Sequence, residues 1–282
     1  MRKPDRYTPR VGARTSLAPT PWLVPVASAN RSPSPGESPT VRMFCLPYAG
    51  GGASIYRQWG SVWPHVAEVF AVQPPGREGR IAEPLLTSMD TWIGQLATAV
   101  SPYLDRPYAL FGHSMGALAS FELAHELLRR GEPSPQCLIV SGRGAPHVPD
   151  PEIGIPMHQL SEGDFVERLK LLDGTPTAVL ENRELMDLMV PVLRADFQVI
   201  ETYSYTDRAP LPIPISVFGG ISDSTATRED LEAWSEMTSN SFSIHRFQGG
   251  HFFLNTNAFL VQQAVGKALM RMLGSAHRQG HC

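Results

Sequence analysis

A pentapeptide with a central serine, Gly112-His113-Ser114-Met115-Gly116, is the part of this chain whose residue types best suit covalent chemistry. It follows an apolar run at positions 108–111 and precedes apolar residues at helical spacing. The segment therefore predicts a strand, a tight turn and a helix, and the flanking glycines would let the strand and the helix pack closely. In that setting the hydroxyl of Ser114 would project above the sheet as a nucleophile.

A serine hydroxyl needs a base within hydrogen-bond reach and a carboxylate that orients this base. His251 is the best candidate for the base, because it follows a strand-like run and the two glycines Gly249 and Gly250. The other histidines are less suitable, since they lie beside the serine, within a strand pattern or in the polar tail: His113, His245, His277 and His281.

Asp223 is the candidate acid. It follows the buried-type strand at 215–218 and a glycine turn, which would present it at the carboxyl edge of the sheet. Glu229 and Asp230 lie at the start of a helical pattern, where acidic side chains are favoured by the helix dipole alone. The order serine, acid, histidine, together with the strand-turn-helix around Ser114, resembles the α/β-hydrolases.

Attack on a carbonyl produces an oxyanion that needs preorganised hydrogen-bond donors. One expected donor is the backbone N–H of Met115, directly after the nucleophile. For the second donor we expect the backbone N–H of Ala49, because it lies in the Gly-rich loop 47–54 that follows an early strand. A phosphate-binding loop is the alternative for this segment, but it lacks both a Walker lysine and the G-x-G-x-x-G spacing.

Strand-like and helical runs alternate from Val41 onward, which predicts an α/β fold with a mostly parallel sheet covered by helices on both faces. We expect one domain over residues 40–282. The stretch of about 150–197 is helical in pattern without a strand, with Ser161 as a cap, and it predicts a helical lid near the carboxyl ends of the strands. Ordinary packing helices are the alternative.

Residues 1–39 are rich in Pro, Ser and Arg and predict a flexible basic leader, in which the run at 22–26 would form a short anchor on the domain. The net charge of −3 gives no reason to expect nucleic acid or a membrane surface as a partner. No apolar run approaches the roughly 20 residues needed to span a bilayer. The three cysteines are an odd number, so we expect free thiols and a cytoplasmic location.

The chain resembles type II thioesterases, the stand-alone editing enzymes of polyketide synthases and nonribosomal peptide synthetases, over roughly residues 40–270. The resemblance is carried by segments that match the family's opening strand and loop, second-strand signature, nucleophile, lid exit and histidine loop: 44–52, 75–78, 112–116, 193–203 and 249–254. The chain departs from the family's pattern in its longer leader. It departs again at 222–227, where a bulkier apolar residue is more usual after the acid.

This resemblance implies a triad of Ser114, Asp223 and His251, with lid helices that border the acyl pocket. It implies hydrolysis of acyl groups from the phosphopantetheine arm of acyl or peptidyl carrier proteins, or from small acyl thioesters, without a metal or bound cofactor. Three alternatives remain open, namely a carboxylesterase, an acyltransferase and a catalytically silent carrier-protein binder.

Overall fold

A seven-stranded sheet forms the centre of the computed structural model, which describes residues 19–26, 40–63, 65–149, 154–172 and 182–279. In chain order the strands are β1 (Leu23–Pro25), β2 (Val41–Leu46), β3 (Ala67–Val72), β4 (Tyr108–His113), β5 (Cys137–Ser141), β6 (Ile215–Gly220) and β7 (Phe242–Phe247). Across the sheet the order is β1-β3-β2-β4-β5-β6-β7. All neighbours are parallel except β1, which pairs antiparallel with β3. The predicted α/β fold with a mostly parallel sheet is confirmed.

The strands beside the serine are buried from end to end, and this is why they read as continuous apolar runs. Every residue of β2, β4 and β5 is buried, as expected for parallel strands with helices on both faces. The register aligns Leu46 with Gly112 and Gly112 with Val140. The carboxyl ends of these central strands therefore meet at one edge of the sheet.

Helices cover both faces of the sheet. The longer helices are α1 (Met89–Val100), α2 (Met115–Arg129), α3 (Glu162–Lys170), α4 (Arg183–Glu201) and α7 (Ala258–Gln279), with the short α5 (Arg228–Glu232) and α6 (Phe253–Thr256) between them. One apolar cluster joins α1 and α2 to the sheet through residues such as Leu96 and Phe121. A second cluster, which includes Val261 and Leu269 of α7, covers the opposite face.

The region between β5 and β6 has a small apolar cluster of its own. Its buried members come from α3, α4 and the preceding 3-10 turn: Met157, Phe165, Leu169, Met186, Val190 and Leu193. Ser161 caps α3, since its side chain accepts a hydrogen bond from the backbone N–H of Asp164. No strand lies between β5 and β6 in the described residues 142–149, 154–172 and 182–214. The lid boundaries of 150–197 stay a prediction, and residues 150–153 and 173–181 lie outside the described residues.

The leader contributes an edge strand, where we expected a short anchor within a flexible segment. Strand β1 pairs with β3 through Leu23 opposite Val72 and Pro25 opposite Phe70. Trp22 is buried, and its ring lies 4.3 Å from the guanidinium carbon of Arg80. Residues 1–18 and 27–39 lie outside the described residues, so the boundary at residue 40 stays a prediction.

Candidate active site

Ser114 sits on the turn between β4 and α2 in a backbone conformation that non-glycine residues seldom adopt. Its φ is 54° and its ψ is −117°. Only Glu78 shares a positive φ among the non-glycine residues that the structure describes. The N–H of Ser114 donates to the carbonyl of Ser141 at 2.7 Å, which anchors the turn to the end of β5. Backbone strain of this kind persists where the surroundings enforce it, and in a strand-turn-helix it marks a nucleophile elbow.

The two glycines around Ser114 are required by close backbone contacts. A Cβ atom on Gly116 would lie 2.2 Å from the carbonyl oxygen of Leu46, and one on Gly112 would lie 1.9 Å from the carbonyl oxygen of Gly116. Real Cβ atoms do not approach backbone atoms this closely. Helix α2 therefore presses directly on the end of β2, which brings the loop after β2 beside the elbow.

The structure brings His251 and Asp223 together at the same edge of the sheet. His251 Nδ1 lies 2.9 Å from Asp223 Oδ2. Asp223 is buried, with a relative exposure of 7%, and follows β6, whereas His251 follows β7 and is partly exposed. The two loops hold each other, since the N–H of Ser222 donates to the carbonyl of Gly249 at 2.9 Å. With Nδ1 engaged by the carboxylate, the Nε2 atom of His251 is left to act on a hydroxyl.

His113 connects the histidine loop to the elbow. Its ring centroid lies 5.1 Å from that of His251, and its Nδ1 lies 2.9 Å from Ser141 Oγ. Complete burial lowers the pKa of His113 to about 3, helped by the charge of His251. His113 is therefore a neutral ring in the folded protein, packed against Tyr48, His251 and Phe253.

Thr225 joins the pair in a way that the sequence interpretation missed. Its hydroxyl donates to Asp223 Oδ1 at 2.7 Å and also lies 2.9 Å from His251 Nδ1. Its backbone N–H donates to the same Oδ1 at 2.9 Å. Burial raises the pKa of Asp223, but the hydrogen bond and charge of His251 and the two bonds from Thr225 lower it, and the net pKa lies below its ordinary value. Asp223 is thus held as a carboxylate.

A signal for Thr225 was present in the sequence. An aspartate commonly bonds the N–H two residues further on, in an Asx turn. In the sequence, the segment 222–227 stands out only by lacking the usual apolar residue after the acid. The hydroxyl that stands there instead ties the acid loop to the histidine.

Met115 directly follows Ser114, and the start of the loop that carries Ala49 lies against the elbow, since a Cβ atom on Gly116 would lie 2.7 Å from the carbonyl oxygen of Pro47. Met115 begins α2, where the first N–H groups of a helix have no partner within the helix. In the loop after β2, Gly50 N–H donates to Asp196 Oδ2 at 2.7 Å and Gly51 N–H donates to the Tyr48 carbonyl at 2.9 Å. Within the described parts of the chain, the amide of Ala49 has no such acceptor. The assignment of Ala49 and Met115 as oxyanion donors stays a prediction, as do the triad roles.

Helix α4 covers the loop that carries Ala49. A Cβ atom on Gly50 would lie 2.6 Å from Leu193 Cδ2 of that helix. Large apolar side chains are exposed in the region between β5 and β6, notably Leu171 and Leu188, with relative exposures of 79% and 60%.

Neither a metal centre nor a membrane span is found where the structure describes the chain. Among those residues no group of three or more His, Cys, Asp or Glu side chains could hold a metal ion. No described helix is both long enough and apolar enough to cross a bilayer.

Comparison with known proteins finds relatives that match most of this chain. The chain is 42% identical over 246 residues to the linear gramicidin dehydrogenase LgrE of Brevibacillus parabrevis, covering 86% of this chain and 90% of that protein. The solved structure of the RedJ thioesterase from the prodiginine pathway of Streptomyces coelicolor superposes with a TM-score of 0.77 at 36% identity, covering 86% and 91% of the two chains. The type II thioesterase BorB from the borrelidin biosynthetic cluster also gives 0.77, at 34% identity with 88% and 97% covered.

The parallel sheet, the serine elbow and the histidine–aspartate pair define a serine hydrolase of the α/β-hydrolase fold. The family model named thioesterase domain matches residues 41–268. The chain belongs to this thioesterase family, and its likeness to RedJ and BorB places it among the type II thioesterases, which hydrolyse thioesters. The name of LgrE includes the word dehydrogenase. The Gly-rich loop 50–52 of this chain lacks the G-x-G-x-x-G spacing that is typical of dinucleotide-binding loops.

Proposed function

We propose that this thioesterase removes acyl groups from the phosphopantetheine arm of acyl or peptidyl carrier proteins and so edits a polyketide or nonribosomal peptide assembly line. The observation that carries the proposal is that the Ser114 elbow and the His251–Asp223 pair lie at one edge of the sheet, where the rings of His113 and His251 are 5.1 Å apart. RedJ comes from the prodiginine biosynthetic pathway and BorB from the borrelidin biosynthetic cluster, and this supports the choice of substrate. The buried free thiols Cys45 and Cys137 suit a reducing cytoplasm.

In the first half of the proposed reaction, Ser114 Oγ attacks the thioester carbonyl carbon while His251 Nε2 takes the hydroxyl proton. The carbonyl electron pair moves to oxygen, and the amides of Ala49 and Met115 donate to the resulting oxyanion. When the C–S bond breaks, the thiol leaves with the proton from His251, and the acyl group stays on Ser114. Asp223 stays ionised throughout and stabilises the imidazolium.

In the second half, a water molecule replaces the departed thiol. His251 takes one proton of this water as the oxygen attacks the acyl-serine carbonyl. The ester bond breaks, His251 returns the proton to Ser114 Oγ, and the free acid leaves. Pantetheine belongs to the substrate, so the proposed cycle uses no resident cofactor and no metal.

The proposal is tested by incubating the enzyme with a carrier protein that bears a short acyl-phosphopantetheine, and following the carrier by intact mass. We expect loss of the acyl mass and release of free acid with the parent enzyme, and none with Ser114→Ala. Ser101→Ala is the matched control, because its hydroxyl bonds the Ala97 carbonyl at the end of α1, outside the candidate site. This control should keep the parent rate.

The rival activities give different products in the same assay. Transfer of the acyl group to a second, unacylated carrier without acid release would contradict hydrolysis and indicate an acyltransferase. Cleavage of a small oxygen ester with no action on the acylated carrier would indicate a carboxylesterase instead. Binding of the carrier without any chemistry would leave only the silent binder.

A further inference from the structure

A buried ion pair lies between the lid helix α4 and the loop after β3. Arg77 and Asp196 have relative exposures of only 6% and 3%. Arg77 Nη2 donates to Asp196 Oδ1 at 2.8 Å, and Arg77 Nη1 donates to Oδ2 of the same carboxylate. Two parallel bonds of this kind fix the relative orientation of guanidinium and carboxylate. Because burying such a pair is costly, it seldom contributes much net stability.

Both members of the pair also bond the backbone of the loop that carries Ala49. Asp196 Oδ2 accepts from the N–H of Gly50 at 2.7 Å, and Arg77 Nη1 donates to the carbonyl of Gly51 at 3.2 Å. The N–H of Gly50 belongs to the same planar peptide group as the carbonyl of Ala49. Asp196 therefore fixes the peptide plane directly after the predicted oxyanion donor.

The N–H of Gly50 is already engaged and is not available to an oxyanion. Gly50 has a φ of +79°, and its N–H is committed to the Asp196 carboxylate. If that bond were lost, the loop would gain a second free amide and the freedom to rotate about Ala49. Gly116 lies against the start of the loop, because a Cβ atom on it would lie 2.2 Å from the carbonyl oxygen of Leu46 and 2.7 Å from that of Pro47.

Helix α4 links this arrangement to the lid. Leu193 lies three residues before Asp196, on the same helix face, and it touches Gly50. Leu193 also belongs to the apolar cluster that holds α3 and α4 together. Helix α4, which lies in the predicted lid, is therefore also the helix that contacts the loop carrying Ala49.

We propose that Asp196 and Arg77 are positioning residues of the oxyanion hole, which aim the Ala49 amide at the tetrahedral intermediate and couple this aim to the lid helix. The inference rests on the proposed serine mechanism, but not on the identity of the acyl donor. The pair touches no reacting atom. Its effect is exerted on the transition state, through the loop.

An acyl trifluoromethyl ketone tests this directly. Ser114 Oγ adds to the ketone carbon, the carbonyl pair becomes an oxyanion in the hole, and the serine proton passes to His251. In Asp196→Asn the side chain keeps its size, but its one carbonyl oxygen cannot replace both carboxylate oxygens. The hydrogen bonds from Gly50 and from both Arg77 nitrogens can therefore no longer all be made. We expect the affinity for the ketone and kcat/KM for an acyl thioester to fall together, by about 10- to 100-fold, with KM within about twofold of the parent.

A matched control is Glu68→Gln, which makes the same carboxylate-to-amide change beside another buried arginine. Glu68 Oε2 accepts from Arg42 Nε at 2.9 Å, at the amino end of the parallel strands, opposite the candidate site. This control should leave ketone affinity unchanged. The melting temperatures of all variants are measured in parallel, so that a loss of folded protein is separated from a loss of affinity.

Arg77→Lys provides a second variant, because lysine keeps the charge but cannot bond Asp196 twice and Gly51 as well. It should lower ketone affinity in the same direction as Asp196→Asn, even if one of the two variants fails to fold. Parent-like ketone affinity in the folded variants, or a failure of both to fold, would assign the pair to stability alone and overturn the inference. Ketone binding by a parent enzyme that does not hydrolyse acyl carriers would refute the proposed substrate while leaving this test intact.

Discussion

Three residues of the candidate site could be found by residue type and chain order alone. Ser114 precedes a helical pattern, and Asp223 and His251 each follow a strand and glycines. Parallel strands bring such positions to one edge, and the structure places Asp223 and His251 2.9 Å apart. The bond from the Thr225 N–H to Asp223 had a local signal, whereas the contact of Thr225 with His251 spans 26 positions and no local pattern encodes it.

Removing members of the triad one at a time should give large and similar losses, because they act as a unit. We expect Ser114→Ala and His251→Ala to lower kcat by orders of magnitude and about equally, and Asp223→Asn to lower it strongly. Steady-state kinetics on a small acyl thioester measures this. A full rate in Asp223→Asn would move the acid to another residue.

Thr225→Val should slow the enzyme without unfolding it. The change keeps the side-chain shape and the backbone bond to Asp223, but it removes the hydroxyl that bonds Asp223 and contacts His251. A hydrogen bond to a charged group contributes about 1.5–3 kcal/mol, so kcat should fall by about 10- to 150-fold. Thr225→Ser keeps the hydroxyl and should retain most of the rate. If the serine variant were as slow as the valine variant, the hydroxyl would not be the cause.

Elements were predictable where their pattern was long and weakly so where it was short. The runs predicted as strands at 108–111 and 215–218 lie within β4 and β6, and the helix that begins near Ser161 has the predicted cap. Strand β1 was not predicted as a strand, because it has only three residues and includes Pro25. A proline is tolerated there since it occupies an edge strand. The pairing partner that makes it a strand lies 45 or more positions further along the chain.

Two glycines in helices should respond oppositely to alanine, because Gly116 lies in the close contact between α2 and β2 and Gly94 lies in open space. In Gly116→Ala the new methyl would meet the backbone of Leu46, so strand and helix must separate. We expect a loss of at least about 1–3 kcal/mol of unfolding free energy, with loss of activity. In Gly94→Ala, within α1, the new methyl meets nothing within 4 Å, and stability should rise by about 0.5–1 kcal/mol. Chemical denaturation of both variants checks this, and equal stabilities would refute the close contact.

At the scale of the whole molecule, the buried ring of His113 makes stability depend on pH. Burial keeps its pKa at about 3 in the folded state, against 6.5 as the ordinary value. The unfolded chain therefore takes up a proton first, and stability is lost as the pH falls from about 6.5 toward 3. Between pH 7 and pH 5 this one group should cost the parent about 2 kcal/mol.

His113→Gln provides the comparison, because it removes the titrating group and leaves the rest of the protein unchanged in charge near neutral pH. Its unfolding free energy should fall less steeply than that of the parent between pH 7 and pH 5. His125, whose pKa is lowered to about 4 by burial and by the charge of Arg208, contributes a similar slope to both proteins. Equal slopes in the two proteins would mean that His113 is accessible to protons in the folded state.

The molecule-wide order of strands, serine, acid and histidine was visible in the sequence, whereas the ties between distant parts were not. The hydrogen bond that the N–H of Gly50 donates to Asp196 spans 146 positions. Neither residue has a local pattern that points to the other. Such contacts follow from how α4 folds back over the sheet, which depends on packing rather than on periodicity.

In the proposed cycle the acyl group is held covalently on Ser114, and a quenched-reaction measurement detects this intermediate. The enzyme is mixed with an acyl-pantetheine, stopped with acid during turnover, digested and analysed by mass spectrometry. We predict one acyl mass on the peptide that contains Ser114, and neither adduct nor acid release with Ser114→Ala. An acyl group on another residue, or acid release at the parent rate by Ser114→Ala, would show that Ser114 is not the nucleophile.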